Sequence, residues 1–182
     1  MKGWFFCAAA GPLLALSLLA WADASATDTV SGVPRIVDAD TLVIHNTRVR
    51  IAGIDAPESR QSCEDANGNH YPCGTDATAA LRAFVGPRIV RCEGEERDRY
   101  ARLIARCLVA GVNINEWLVR EGHAVAYRRY STAYVDAEND AKARKRGIWK
   151  GRFTPPERWR RGERLQRGAH TNEKRNNHQQ AE

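Results

Sequence analysis

A run of short β-rich segments separated by polar turns spans residues 35–54 and constrains the fold more than any other feature. Residues 41–44 predict one strand, and residues 48–54 predict the strand that returns beside it. Apolar and charged side chains alternate along the returning strand, so Arg50 lies on the face opposite its apolar neighbours. Pro57 cannot continue a ladder of hydrogen bonds because it has no backbone N–H. The segment therefore predicts a hairpin that buries one face.

Patterns further along the chain predict a small mixed domain. They indicate, in order, a helix over 75–85 capped by Thr75, strands at 89–92 and 103–109, a helix opened by Asn113 and closed by Gly122, and a helix over 131–147. With the strand that ends at Val37, the domain has five short strands and a helix between the third and the fourth. This is the layout of an OB-type barrel. We therefore predict an α+β fold, a single domain made of a five-stranded OB-fold β-barrel and about three helices.

The first 26 residues have the pattern of a secretory signal peptide. Lys2 precedes an apolar run, and the small residues Ala24-Ser25-Ala26 fit a cleavage site. An uncleaved membrane anchor is the alternative, but the apolar run is short for a segment that spans a bilayer. We expect cleavage after Ala26, or at Ala24 as the nearest alternative. The mature protein would then be exported to a periplasm or the cell exterior, without a membrane span.

Export places the remaining cysteines in an oxidising compartment, where an even number predicts disulfides. They are Cys63, Cys73, Cys92 and Cys107. Four cysteines allow three connectivities, and closeness in sequence favours Cys63–Cys73 and Cys92–Cys107. A zinc site is the weaker alternative, because the chain has no C-x-x-C motif and only His70 lies between the first two cysteines.

The charge of the chain favours an anionic partner. The net charge is +6 and the sequence pI is about 9.3, values that suit nucleic acid or an anionic membrane surface. Residues 150–182 are rich in Arg, Asn and Gln and poor in apolar residues. We therefore place the folded domain at 27–152 and a basic, largely disordered tail at 153–182. Nothing in the sequence predicts a stable protein partner, so we expect a monomer.

Several charged residues lie at the ends of the predicted hairpin. Asp40 precedes one strand and Asp55 follows the other, so their carboxylates can share a site that suits Ca²⁺ or Mg²⁺. Glu58 follows a rigid turn and could act as a general base, and Arg50 and Arg102 could clamp a phosphate. Asp is also common in turns, and Glu and Arg are common on solvated surfaces. The residues alone leave both interpretations open.

Three blocks of sequence resemble the staphylococcal nuclease (thermonuclease) family. They are VDADT at 37–41, RVRIAGIDAPE at 48–58 and DRYAR at 98–102. The stretch NEWLVREG at 115–122, Ala126-Tyr127 and Gly147-Ile148-Trp149 continue the likeness. It runs from about Val33 to Trp149, and the cysteines and basic tail resemble the exported bacterial branch of the family.

The resemblance implies a Ca²⁺ site and an activity. Asp40 and Asp55 would be Ca²⁺ ligands, joined by the backbone carbonyl of Ala56. Members of the family hydrolyse both DNA and RNA and leave 3′-phosphate products. Little sequence preference is expected, because groups that grip phosphate carry no information about the bases.

The resemblance also implies roles for the other site residues. Glu58 would activate or orient the attacking water, and Arg50 and Arg102 would hold the scissile phosphate and stabilise the charge that develops on it. Tyr100 and Tyr127 would line the nucleotide pocket.

Two departures from the family pattern bear on this site. Ala101, just before Arg102, stands where the family often has Gly, so a positive φ there would strain the backbone. The loop at 61–74 is rebuilt around two cysteines.

The alternative function is a catalytically inactive OB-type module that binds nucleic acid. The joint presence of the five charged site residues argues against it.

Overall fold

The computed structural model of the protein describes residues 27–165. The predicted signal peptide, residues 1–26, and the end of the predicted tail, residues 166–182, lie outside the described residues. Within the described part of the chain, no helix is long and apolar enough to cross a membrane.

One seven-stranded sheet forms the centre of the domain. Its strands are β1 (Asp28–Gly32), β2 (Arg35–Asp38), β3 (Thr41–Ile44), β4 (Thr47–Ile51), β8 (Val90–Arg97), β9 (Leu103–Val109) and β10 (Val112–Asn113). Two separate pairs join β5 (Ile54–Asp55) to β11 (Val125–Ala126) and β6 (Cys63–Glu64) to β7 (His70–Tyr71). The order in the main sheet is β1-β8-β9-β4-β3-β2, with β10 beside β9. Strands β4 and β9 run parallel.

The main sheet is not closed into a five-stranded barrel by hydrogen bonds in the described part of the chain. Its two end strands, β1 and β2, are consecutive in the chain and are separated only by Val33 and Pro34. Two residues span at most about 7 Å, so the two ends of the sheet have to approach each other. The α+β class and the single domain are therefore confirmed, while the closed five-stranded barrel is not.

Strand β1 is an element that sequence patterns missed. Its residues, DTVSG, include one strong β former, Val30, and the segment looks like a lead-in to the domain. In the structure the strand pairs antiparallel with β8 along its whole length, from Asp28 opposite Gly94 to Gly32 opposite Val90. Pairing with a neighbouring strand outweighs weak local propensity here.

Within residues 27–165, four α-helices accompany the sheet rather than about three. They are α1 (Cys73–Val85), α2 (Ile114–Arg120), α3 (Val135–Ala143) and α4 (Pro156–Arg160), and a 3₁₀ helix spans Gly147–Lys150. Helix α1 begins two residues before Thr75, so the predicted cap is wrong, and the Thr75 hydroxyl donates to the Ser59 carbonyl at 3.2 Å. Asn113 caps α2 as predicted, since its side chain accepts from the backbone N–H groups of Asn115 and Glu116.

Both predicted disulfides are present. Cys92 and Cys107 lie directly opposite each other on β8 and β9, and the chain that their bond closes includes the turn that carries Arg102. Cys63–Cys73 joins β6 to the first residue of α1. A bridge that closes a loop of about 15 residues contributes on the order of 3 kcal/mol. The two bonds therefore brace the segments on either side of the predicted site.

The chain beyond residue 152 packs against the loop that follows Glu58. The backbone of Arg152 bonds in both directions with that of Glu64, at 2.8 and 3.0 Å. The buried Gln61 side chain donates to the Thr154 carbonyl at 2.6 Å. Helix α4 follows. Composition assigns residues 153–182 to a basic, largely disordered tail, but these contacts fasten the start of that segment to the domain.

Candidate active site

An open cleft of about 920 Å³ lies beside the turn between β2 and β3, the end of β4 and the turn before β9. It brings together seven of the eight residues predicted to bind metal or substrate or to act in catalysis: Asp40, Arg50, Ala56, Glu58, Tyr100, Arg102 and Tyr127. The eighth, Asp55, is buried behind them and bonds to side chains that line the cleft.

Asp40 occupies the turn between β2 and β3, and its carboxylate is held on several sides. The Arg50 guanidinium and the Thr41 hydroxyl donate to its Oδ1, the latter at 3.1 Å. The backbone N–H of Ala56 donates to its Oδ2 at 3.3 Å. Asp40 is only 5% exposed, so its orientation is fixed by these contacts.

Arg50 links the two predicted metal ligands. It lies opposite Thr41 in the β3–β4 pair, on the face away from the apolar residues of β4, as alternation predicts. Its Nη1 donates to Asp40 and its Nη2 lies 3.3 Å from Asp55 Oδ1. One guanidinium therefore bridges the two carboxylates, and the strand ends meet as the sequence predicts.

The surroundings of the Asp40 carboxylate disfavour its ionised form. Its pKa is about 7, compared with an ordinary value of 3.8. Burial is the main cause, Arg50 opposes it, and the carboxylates of Asp38 and Asp55 act in the same direction as burial. Additional positive charge beside these carboxylates would favour their ionised form.

The donors near Asp40 fit a hard divalent cation. Two carboxylates and the Ala56 carbonyl are oxygen ligands of the kind that Ca²⁺ and Mg²⁺ prefer. In residues 27–165, no group of three or more His, Cys, Asp or Glu side chains is arranged to hold a metal ion. The predicted set contains only two such side chains, so water or substrate oxygens would have to complete the coordination.

Glu58 contacts both the loop that follows it and helix α4. Its backbone N–H donates to Gln61 Oε1 at 3.2 Å, and its Oε1 accepts from Arg160 Nη1 at 2.8 Å. Its side chain is 35% exposed, so it remains accessible from the cleft. This position, beside Asp55 and open to solvent, is compatible with the predicted general base.

Sequence reasoning missed Arg160 as a site residue. Its guanidinium makes a two-pronged contact with Asp55, at 2.9 Å to each oxygen, in addition to its bond to Glu58. The available signal was local: Pro155, Pro156 and Trp159 interrupt an otherwise polar tail with residues that pack. Those residues predict local order but not a contact with the site.

Arg102 is held by a tight turn that begins at Asp98. The Asp98 carboxylate accepts from the backbone N–H groups of Tyr100 and Arg102 and from Arg102 Nε, at 2.9, 3.0 and 2.7 Å. Ala101 has a φ of +58°, a left-handed conformation that strains a residue with a Cβ. Arg102 Nη1 also lies 3.5 Å from the hydroxyl of Thr41, the residue opposite Arg50 in the β3–β4 pair, so both predicted phosphate arginines are neighbours of Thr41.

The two predicted substrate tyrosines also line the cleft. Tyr100 is 59% exposed and lies beside the guanidinium groups of Arg99 and Arg102, at 4.8 and 5.6 Å from its ring centre. Tyr127 meets Tyr130 edge to face, with ring centres 4.8 Å apart. Exposed aromatic faces beside arginines are surfaces on which nucleobases stack.

Carboxylates, arginines and tyrosines around one open cleft are the groups that proteins use to bind and process phosphate esters. The family model described as "Staphylococcal nuclease homologue" matches residues 48–151. The succinoglycan biosynthesis protein ExoI of Rhizobium meliloti (strain 1021) is 38% identical over 143 residues, 77% of this chain and 74% of that protein. An uncharacterized endonuclease of Escherichia coli O157:H7 is 31% identical over 155 residues, 81% of this chain and 94% of that protein. Endonuclease YncB of Bacillus subtilis (strain 168) is 35% identical over 128 residues, 63% and 59% of the two chains. The chain belongs to the staphylococcal nuclease family.

Proposed function

We propose that the protein is a Ca²⁺-dependent phosphodiesterase, an endonuclease that hydrolyses DNA and RNA with little sequence specificity and leaves 3′-phosphate products. The observation that carries the proposal is the bridge by which Arg50 joins Asp40 to Asp55, with Glu58 and Arg102 lining the same cleft. Family membership and the endonuclease names of two relatives support it.

The proposed chemistry divides among the residues of the cleft. Arg50 and Arg102 hold the non-bridging oxygens of the phosphodiester and stabilise the charge that grows as water attacks. Glu58 orients the water and accepts its proton while the bond from phosphorus to the 5′ oxygen breaks, and the 5′ oxygen takes a proton from solvent to leave as a hydroxyl. The phosphate then remains on the 3′ oxygen. Before substrate binds, Arg50 is held by Asp40 and Asp55, and Arg102 is held by Asp98.

The proposed cation site consists of Asp40, Asp55 and the Ala56 carbonyl. A divalent cation bound there would supply further charge stabilisation and polarise the phosphate. The raised pKa of Asp40 supports the assignment, because the buried carboxylate lacks enough positive charge around it. The oxygen donors favour Ca²⁺ or Mg²⁺ over zinc.

Other parts of the proposal concern form and location. We infer an OB-type barrel, supported by the sheet order and by the two-residue connection between its end strands. The two disulfides support export to a periplasm or the cell exterior. A monomer without a stable protein partner is sufficient, since one chain supplies every residue assigned to the site.

The test is a cleavage assay with the purified chain on single-stranded DNA, double-stranded DNA and RNA, each with Ca²⁺, with Mg²⁺ and with a chelator. We expect cleavage of all three with Ca²⁺, none with the chelator, and products that a polymerase extends only after phosphatase treatment. Cleavage that persists with the chelator would contradict the metal dependence. Binding of the substrates without cleavage under any condition would favour the inactive binding module instead.

A further inference from the structure

A third arginine, Arg160, reaches the site from helix α4. Its Nη1 lies 2.9 Å from Asp55 Oδ1 and 2.8 Å from Glu58 Oε1, and its Nη2 lies 2.9 Å from Asp55 Oδ2. One guanidinium thus contacts a proposed metal ligand and the proposed general base. Two-pronged contacts between Arg and carboxylate are the strong and directional form of this pair.

Contacts of the chain before α4 and of the first residue of α4 hold Arg160 in this position. Gln61 is 1% exposed; its side chain accepts from the Glu58 N–H at 3.2 Å and donates to the Thr154 carbonyl at 2.6 Å. Pro156, the first residue of α4, is buried. The loop that carries Glu58 and the helix that carries Arg160 are therefore held together by a buried amide.

The charges around Asp55 constrain what can bind there. Asp55 is 1% exposed, and both of its oxygens accept from Arg160, while Oδ1 also faces Arg50. A buried carboxylate needs positive partners, and Arg50 and Arg160 supply them. A divalent cation at Asp55 requires one of the oxygens that Arg160 occupies. The Arg160 side chain is 35% exposed and lines the cleft, so it can turn toward a ligand there without leaving the site.

We propose that Arg160 is a third active-site arginine, which neutralises Asp55 and Glu58 and passes to a substrate phosphate when a divalent cation takes Asp55. This inference rests on the proposed function. It assigns a binding role to a residue outside the segment that the family model matches, which ends at residue 151.

The proposal predicts opposite effects on two ligands. Arg160→Ala removes the competitor for Asp55, so the variant binds Ca²⁺ more tightly than wild type, by about fivefold, which corresponds to about 1 kcal/mol. The same variant loses a phosphate contact and binds a single-stranded oligonucleotide more weakly, again by about fivefold. A residue with only a structural role would weaken both ligands when removed. Arg160→Lys keeps the charge without the two-pronged contact and falls between wild type and Arg160→Ala for both ligands.

The experiment measures the two affinities separately on the full chain. Calorimetry gives the dissociation constant for Ca²⁺ without nucleic acid. Fluorescence anisotropy gives the affinity for a labelled oligonucleotide at saturating Ca²⁺, with Glu58→Gln added to every variant to slow cleavage. The matched control is Arg158→Ala, on the same helix, because Arg158 pairs with Glu163 and lies outside the cleft lining.

The possible results separate the inference from the proposed function. Tighter Ca²⁺ binding and weaker oligonucleotide binding by Arg160→Ala, with Arg158→Ala like wild type, supports the inference. If wild type binds Ca²⁺ and cleaves nucleic acid, but Arg160→Ala and Arg160→Lys bind Ca²⁺ no more tightly, the inference is overturned and the nuclease assignment stands. Unchanged oligonucleotide affinity overturns the phosphate contact. If neither wild type nor Arg160→Ala binds Ca²⁺, both the inference and the proposed metal dependence are overturned.

Discussion

Asn115 offers a test of how the framework under the cleft is held. Its side chain is fully buried, its Nδ2 donates to the carbonyls of Ala52 and Ala105 at 2.9 and 3.2 Å, and its Oδ1 accepts from the Cys107 N–H at 2.9 Å. Ala52 follows the strand that carries Arg50, while Ala105 and Cys107 belong to the strand after Arg102. One amide thus ties the two strands to the start of α2.

The destabilisation expected for Asn115→Ala follows from the polar backbone groups that lose their hydrogen-bond partner. The Ala105 carbonyl still accepts from the Ala52 N–H at 2.8 Å, so the Ala52 carbonyl and the Cys107 N–H are the groups that lose this partner. An unsatisfied buried polar group costs about 1–3 kcal/mol, and Ala52 is partly exposed to water, so we expect a loss of about 2–4 kcal/mol in the free energy of unfolding. This is a large share of a typical domain stability of about 5–15 kcal/mol.

Urea denaturation with the disulfides intact measures this loss. The m value should stay unchanged, because the surface exposed on unfolding is the same. Asn115→Asp retains the acceptor for Cys107 but sets a carboxylate against two carbonyls, so it should be at least as unstable as Asn115→Ala. The control is Asn67→Ala in an exposed loop, expected within about 0.5 kcal/mol of wild type. If Asn115→Ala is as stable as this control, the amide does not hold the two strands, and the reasoning is refuted.

Three further predictions concern single residues. Asp40→Ala should be slow at low Ca²⁺ and regain part of its rate as Ca²⁺ is raised, because a metal ligand rather than the base is lost; a rate that ignores Ca²⁺ would argue against the ligand role. Ala101→Gly should raise the free energy of unfolding by up to about 1 kcal/mol, since a left-handed φ suits Gly better than Ala; a destabilised variant in urea would contradict this. Glu138→Gln should lose less stability than wild type as the pH falls. In wild type, burial acts to raise the pKa of Glu138, but hydrogen bonds from Lys142 and Arg128 outweigh it and hold the pKa below 4.5. Because the folded pKa is depressed, this stabilisation is full above the unfolded pKa and is lost as pH falls through the folded one; equal slopes for both proteins from neutral pH to about pH 3 would refute the assignment.

The parts of the site that sequence could predict depend on local relations. Asp40 and Asp55 meet because they flank strands that pair within a few residues of each other, and the Cys92–Cys107 bond follows from the adjacent strands β8 and β9. The departure at Ala101 in a short motif marks a position where the backbone conformation matters, and its φ is positive. Hairpin geometry and turn chemistry act over short distances, and therefore leave a pattern in the sequence.

The parts that sequence could not predict depend on distant contacts. Arg160 lies 105 residues from Asp55 and 102 from Glu58 along the chain, in a segment whose composition indicates disorder. Its contact arises because the buried Gln61 side chain fastens the segment to the loop after Glu58. Strand β1 likewise forms through its pairing with β8 rather than through its own residues. Tertiary partners of this kind override local propensity.

Glu58 is proposed as the general base in a metal-dependent cleavage of phosphodiesters. The most direct measurement is the single-turnover rate of Glu58→Gln at saturating Ca²⁺, beside wild type and the control variant Glu163→Gln, whose carboxylate pairs with Arg158 and lies outside the cleft lining. We predict that Glu58→Gln binds Ca²⁺ and substrate like wild type but reacts more slowly by about 10² to 10⁴, the usual contribution of a general base, while Glu163→Gln keeps the wild-type rate. A Glu58→Gln rate close to that of wild type would contradict the assignment and place the chemistry elsewhere.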